Sequence, residues 1–298
     1  MAADVAVTLP AERTRRRGAI VSFTLAQPLG AASALAILVM GTAAIFAERV
    51  APYDPVAIDF GAMLAAPSWQ HWFGTDAFGR DILTRVIYGA RTALAIGFLS
   101  SFLGCTVGAI LGVASAYFGG RTDMIVQRLV DILLSFPIIV LALVVVAMLG
   151  RNLILGVDVN LILAIAVPTM PRVARVVRSA ALSIRELPYI DAARVQGFGH
   201  MRIIFRHMVP NVAAPYLIMF TAAIAQAILL EASLSFLGLG VTEPTPAWGL
   251  MLSGNASDFY REAPWMILFP GLAISVAVFA FNLFGDSLRD WLDPKFKV

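Results

Sequence analysis

Few side chains in this 298-residue chain could do chemistry, and several of them stand where charge is costly. Glu231 lies inside residues 212–237, a stretch otherwise free of charge. An ionisable group at such a place must face a bundle interior or a cavity. Two readings stand: a residue lining or gating a path, or a hydrogen-bond anchor between helices. Asp131 precedes Ser135 and Pro137 in the run DILLSFP, so an acid stands beside a helix interruption. A hinge and a fixed bend are both open there. Hydrolytic chemistry lacks its parts. Ser100, Ser101, Ser115, Ser135 and Ser275 fall in apolar stretches with no histidine among them to act as a base. His200 and His207 are seven apart, without cysteine or carboxylate support, and His71 lies far from both in the chain, so no metal site is expected. Cys105 sits in an apolar helix with nothing nearby to lower its pKa, so it reads as structural. No GxxxxGK[ST] loop is present, so no nucleotide site is expected. No residue is a catalytic candidate.

The elements that must position these groups are membrane helices. Hydrophobic residues make up 59% of the chain and charged residues 14%, with a mean hydropathy of +0.83. A soluble domain could not cover so much apolar surface with so few charges. Disorder is excluded for the opposite reason, and a single cysteine excludes a disulfide scaffold. A hydrocarbon core takes about 20 apolar residues in helix. Six stretches qualify, at residues 29–47, 92–117, 132–150, 153–170, 212–237 and 263–285; Asp158 interrupts the fourth. The first follows Arg13, Arg15, Arg16 and Arg17, but it is longer than a signal-peptide core and reads as a retained anchor. With the N-terminus inside, the cytoplasmic segments hold sixteen Lys and Arg residues and the external ones six. Both termini are therefore expected in the cytoplasm. The basic balance reflects topology, and no aromatic-interleaved basic patch suggests nucleic acid.

Residues 1–28 form a cytoplasmic segment, 29–47 the first span and 48–91 an external loop. In that loop Ile82, Leu83, Val86 and Ile87 share one helical face, which predicts a short amphipathic helix at the interface. Trp69, Trp72 and Phe73 suit headgroup depth. In the second span Gly104, Gly108 and Gly112 recur every fourth residue. Small residues at that spacing let two helix backbones approach closely, in this chain or in another subunit.

Between the fourth and fifth spans lies the most informative segment. Arg172, Arg175 and Arg178 form a basic stripe, which snorkelling and positive-inside bias explain. Pro188 then starts a short helix, Gly197 and Gly199 break it, and a second helix runs to Pro210. Ala192 and Ala193 are expected to give this knob a small, smooth surface, and Ile203, Ile204 and Phe205 an apolar one. It is too basic for lipid and too apolar for a solvated loop, which fits a docking element for a cytoplasmic partner.

The run DAARVQG followed by HMVP resembles the EAA loop of ABC importer permeases. That family pattern is Glu-Ala-Ala, three residues, Gly, nine residues, Ile, one residue, Leu-Pro. Here Asp191, Ala192, Ala193, Gly197 and Pro210 fall in register, with His207 in place of Ile and Val209 in place of Leu. GTDAFGRD (74–81), YGART (88–92), EASLSFLGLG (231–240), WG (248–249) and FNLFGDSLRDWLDP (281–294) are similar to the dipeptide/oligopeptide permease family, in its second, C-type subunit. The resemblance implies an all-α type I ABC importer permease fold with six transmembrane helices. The permease domain would cover 92–285, with its coupling loop at 186–210 and a cytoplasmic tail at 286–298. It further implies a heterodimer with a second permease subunit, two ATP-binding subunits that hold the ATP and Mg, and an external substrate-binding protein. This chain would hold no cofactor. The substrate would be a dipeptide or oligopeptide, carried across a prokaryotic inner membrane by alternating access, with Asp131, Pro137 and Glu231 as candidates for the path or its gate. Nickel, glutathione and other small solutes are alternatives within the family. A stand-alone ion-coupled transporter is the alternative outside it, although no inverted repeat supports that reading.

Overall fold

The computed structural model describes residues 19–154 and 157–292. The arginines at 13–17, Lys295 and Lys297, which enter the orientation count, lie outside the described residues, as does the end of the tail. Nine principal helices organise the described residues. They are α1 (Ala19–Ala26), α2 (Pro28–Ile45), α3 (Ile82–Phe118), α4 (Gly120–Leu134), α5 (Ile138–Leu149), α6 (Val159–Arg185), α7 (Pro188–Val195), α8 (Ala213–Phe236) and α9 (Trp265–Leu292). Among the described residues five helical segments are long and apolar enough to cross a membrane, and α4 with α5 makes a sixth span if that bent pair counts as one.

The longest helix begins earlier than the sequence suggests. Asp81 caps it, its carboxylate accepting from the Thr84 amide at 2.8 Å. The expected amphipathic helix is thus the first turns of α3 rather than a separate element. Nothing between Ile82 and Phe118 is a proline, so the helix has no reason to break. Ile82, Thr84 and Arg85 are buried there, because the preceding loop wraps around this end of the helix. Gly119, at φ +63°, turns the chain into α4. At Ser135–Pro137 the axis bends by 94° before α5, since Pro137 cannot donate the next helical hydrogen bond. The expected kink is therefore a full break.

A two-residue antiparallel pair, β1 (Leu153–Ile154) and β2 (Val157–Asp158), follows α5. Asp158 interrupts no span. Its side chain caps α6, accepting from the Asn160 and Leu161 amides at 3.0 and 3.3 Å. The helix carrying the expected stretch 153–170 accordingly starts at Val159 and continues to Arg185, so the arginine stripe belongs to the span itself. On the far side of the knob, residues 200–212 run through a π-turn and a 3₁₀ turn directly into α8. Pro210 lacks an amide hydrogen, and the altered turns around it accommodate that without ending the rod.

The core is built on the glycine stripe, and its partner helix lies in this chain. A Cβ on Gly104 would stand 2.8 Å from the Ala166 carbonyl, on Gly108 2.5 Å from that of Met170, and on Gly112 2.6 Å from that of Ala174. Two four-residue stripes, one on α3 and one on α6, thus meet backbone to backbone. The α8 helix packs on α3 and α9, and α9 on α2, so the long helices form one bundle.

Candidate functional site

The knob between α6 and α8 is a folded unit. Leu187 precedes Pro188, which occupies the first turn of α7. Ile190 and Ala193 are buried, in one apolar cluster with Tyr117, Val177, Ile203 and Met208. Asp191, Ala192 and Val195 face outward, Val195 at 89% exposure. Of the two alanines expected on the surface, only Ala192 is there; the helical period turns Ala193 into the core. Ile203 is likewise buried, while Met201 and Phe205 are exposed. Asp191 pairs with Arg194 at 2.9 Å. Gly197, at φ +75°, closes the helix, and the Phe198 amide reaches back to the Ala193 carbonyl at 3.1 Å. The second arm is tied to the first: Asn211 donates to the Tyr189 hydroxyl at 3.2 Å and to the His207 carbonyl at 2.6 Å. His207 stacks on Phe198, with centroids 6.2 Å apart and planes 13° apart. His200 meets the Tyr117 hydroxyl at 2.8 Å, which ties the knob to the C-terminal end of α3. Pro210 is exposed.

The arginine stripe does more than snorkel. Arg178 grips Asp123 of α4 through two nitrogens at 2.6 and 2.5 Å, and Ser115 of α3 donates to the same carboxylate. Arg175 bonds Asp131, with both side chains more than half exposed. Arg172 donates to Gln226 of α8 at 3.0 Å. Arg185 donates to the Ala116 carbonyl at 2.9 Å. The stripe therefore ties α6 to α4 and α8, and Arg185 ties it to α3. Sequence reasoning missed these links because positive-inside bias accounts for the same arginines equally well; Asp123, three residues after Gly120, was the available signal.

Glu231 is fully buried. Its Oε1 accepts from the Ser235 hydroxyl at 2.7 Å, and that hydroxyl accepts from the Val241 amide at 3.0 Å. Its Oε2 has no partner. The chain after α8 folds back tightly over this point: a Cβ on Gly249 would stand 2.1 Å from the Ala232 carbonyl, and one on Gly89 2.6 Å from Trp248. Trp248 donates to the Val86 carbonyl at 2.9 Å. Further out, Glu243 binds Arg80 at 2.8 Å and Arg85 at 3.2 Å, and Arg85 also holds the Pro55 carbonyl at 3.1 Å. Burial on its own would lower the pKa of Arg80, but bonds to Glu243 and Asp76 raise it above the ordinary guanidinium value. Loop 238–250 is thus fastened below through Glu231 and Ser235 and above through Glu243. Of the three path candidates, Asp131 is exposed, Pro137 sits at the helix break, and Glu231 is sealed inside. The three do not come together. Among the described residues no three of His, Cys, Asp and Glu gather as metal ligands would.

Residues 104–298 match the family described as binding-protein-dependent transport system inner membrane component. The chain belongs to that family. A dipeptide transport system permease protein, DppC, of Alkalihalophilus pseudofirmus is 45% identical over 254 residues, covering 85% of this chain and 82% of that one. A peptide transport system permease protein of Brucella suis, itself named as putative, is 43% identical over 88% of this chain and 86% of its own length. A glutathione transport system permease protein, GsiD, of Escherichia coli is 42% identical over 91% of this chain and 88% of its own. A chain of the inward-facing MetNI methionine ABC transporter aligns with a TM-score of 0.55 at 20% identity, covering 71% of this chain and 98% of that chain. That likeness concerns the fold alone and agrees with a type I importer permease. The protein is therefore a multi-pass permease component of an inner-membrane ABC transport system, whose partners include a substrate-binding protein and an ATPase.

Proposed function

We propose that this permease carries dipeptides or short oligopeptides into the cytoplasm as one half of a heterodimer with a second permease subunit. Two ATP-binding subunits hold the ATP and Mg, so this chain needs no cofactor and is not itself an enzyme. The binding protein delivers substrate from outside, and both termini of this chain lie in the cytoplasm. The relatives named for dipeptide and glutathione transport support a peptide-like solute. Glutathione is itself a small peptide and is the alternative cargo.

The observation that carries the proposal is the knob: a short helix with an outward face of Asp191, Ala192 and Val195, closed by a left-handed Gly197. Its inner face packs on residues of α3 and α6, and its second arm is continuous with α8. A displacement of α7 by a closing ATPase pair would therefore be felt by three membrane helices at once. Such a rigid lever can bias a bundle that has two packings. Alternating access follows if the two packings open to opposite sides.

The test is reconstitution of the whole transporter with Gly197→Val. Nothing stands within 4 Å of a Cβ there, so the substitution strains the backbone without a clash. ATP hydrolysis should persist while peptide uptake falls. Normal uptake by this variant would remove the coupling role from α7. Co-purification from mild detergent should recover a second permease and Walker-motif ATPases; repeated recovery of the chain alone would count against the heterodimer.

A further inference from the structure

Of the three stripe arginines, Arg175 and Arg178 have carboxylate partners and Arg172 does not. Among the described residues the side-chain partner of Arg172 is the neutral amide of Gln226. Arg172 stands near the middle of the 27-residue α6, and Gln226 just past the middle of the 24-residue α8. Each residue thus lies well inside a helix long and apolar enough to span a membrane, yet Arg172 is exposed on the surface of this chain. A guanidinium there cannot face hydrocarbon without large cost, so this face is turned to protein or to a water-filled space.

A separate feature marks the same face. Arg172, Gln226 and Thr169 line a recess of about 110 Å³ together with Ile138, the first residue of α5 after the 94° break. Interrupted helix at membrane depth persists only where it is buried in protein or borders a cavity. The exposed pair Asp131–Arg175 continues the polar surface toward the cytoplasm. An uncompensated cation and a broken helix thus share one recess.

We infer that this recess borders the translocation path and that Arg172 receives a carboxylate of the passing peptide. The inference rests on the peptide-importer reading above. Arginine suits the task because its planar fork binds carboxylate through two parallel hydrogen bonds. Gln226 holds one of its nitrogens and leaves the others for the ligand. Every unblocked peptide carries a terminal carboxylate, so one such contact serves many sequences, and a C-terminal amide lacks it.

The test uses the complete transporter in proteoliposomes, with a dipeptide and its C-terminal amide each loaded to saturation on the binding protein. In the wild type the free acid should move faster than the amide by about tenfold, the worth of a charge-assisted hydrogen bond. Arg172→Gln should slow the free acid by about that factor, leave the amide unchanged and so abolish the preference. Arg172→Lys should keep only part of it, because the ammonium retains the charge but not the fork. An equal fall for both ligands would mean that Arg172 only bonds the second subunit, and no fall would mean that it is idle; either overturns the inference. If the wild type carries neither ligand, the peptide reading itself fails and the inference falls with it. Thiol labelling gives a readout independent of the binding protein, because Cys105 is buried. Arg172→Cys should react with a membrane-impermeant reagent, whereas Phe279→Cys, on the exposed face of α9, should not. Failure of Arg172→Cys to react would place it outside the aqueous path and overturn the inference.

Discussion

At the scale of single residues, the contact between α3 and α6 depends on the absence of side chains. Gly108→Val would place a Cβ 2.5 Å from the Met170 carbonyl and 3.0 Å from the Val173 Cβ. Neither neighbour is the free end of a flexible chain, so the helices must separate. Overpacking of this kind costs about 1–3 kcal/mol. Thermal unfolding in detergent should show a lower midpoint for Gly108→Val, and no change for Gly41→Ala, where nothing lies within 4 Å. Equal midpoints would mean that the stripe does not hold the bundle. The stripe itself was legible in the sequence because its spacing matches the helical period. Its partner was not, since Ala166, Met170 and Ala174 look like ordinary members of an apolar run. Glu231 was legible as an interior residue but not in its role. Its bond to Ser235 is four residues away on the same helix, and its link to Val241 depends on how the following loop turns.

At the scale of elements, loop 238–250 is held from two directions. Glu243 is half exposed, while the Arg85 side chain it binds is nearly buried. Glu243→Gln would leave Arg85 bonded to the Pro55 carbonyl but without its paired carboxylate. A hydrogen bond to a charged group contributes about 1.5–3 kcal/mol, and exposure reduces that here. Hydrogen exchange in detergent should therefore rise at residues 52–58 and 239–246, with the membrane helices unchanged. No rise would show that packing of Trp248 and Gly249 suffices to hold the loop. The same elements show why some boundaries escaped sequence reasoning. Asp81 and Asp158 look like interruptions in apolar text, yet each is an N-cap that starts a helix. A capping aspartate and a charge that ends a span have the same composition signature, and only the backbone distinguishes them.

At the scale of the whole molecule, orientation links every functional statement. In the proposed function the knob faces an ATPase subunit and loop 48–81 the binding protein. The expected excess of Lys and Arg on one side, sixteen residues to six, supports this proposed orientation, although Arg172, Arg175 and Arg178 of the sixteen belong to α6. Part of that count lies in the terminal segments, so a direct measurement is decisive. Two side chains are well placed for it, Trp69 at 93% and Val195 at 89% exposure. The native Cys105 is 0% exposed and gives no background. In intact spheroplasts a membrane-impermeant maleimide should label Trp69→Cys. Val195→Cys should label only after permeabilisation, and less when the ATPase subunits are co-expressed, because α7 would then be covered. Labelling of Val195→Cys from outside would invert the topology and take the knob away from any cytoplasmic ATPase. Labelling unchanged by the ATPase subunits would keep the topology but move their docking site off the outward face of α7.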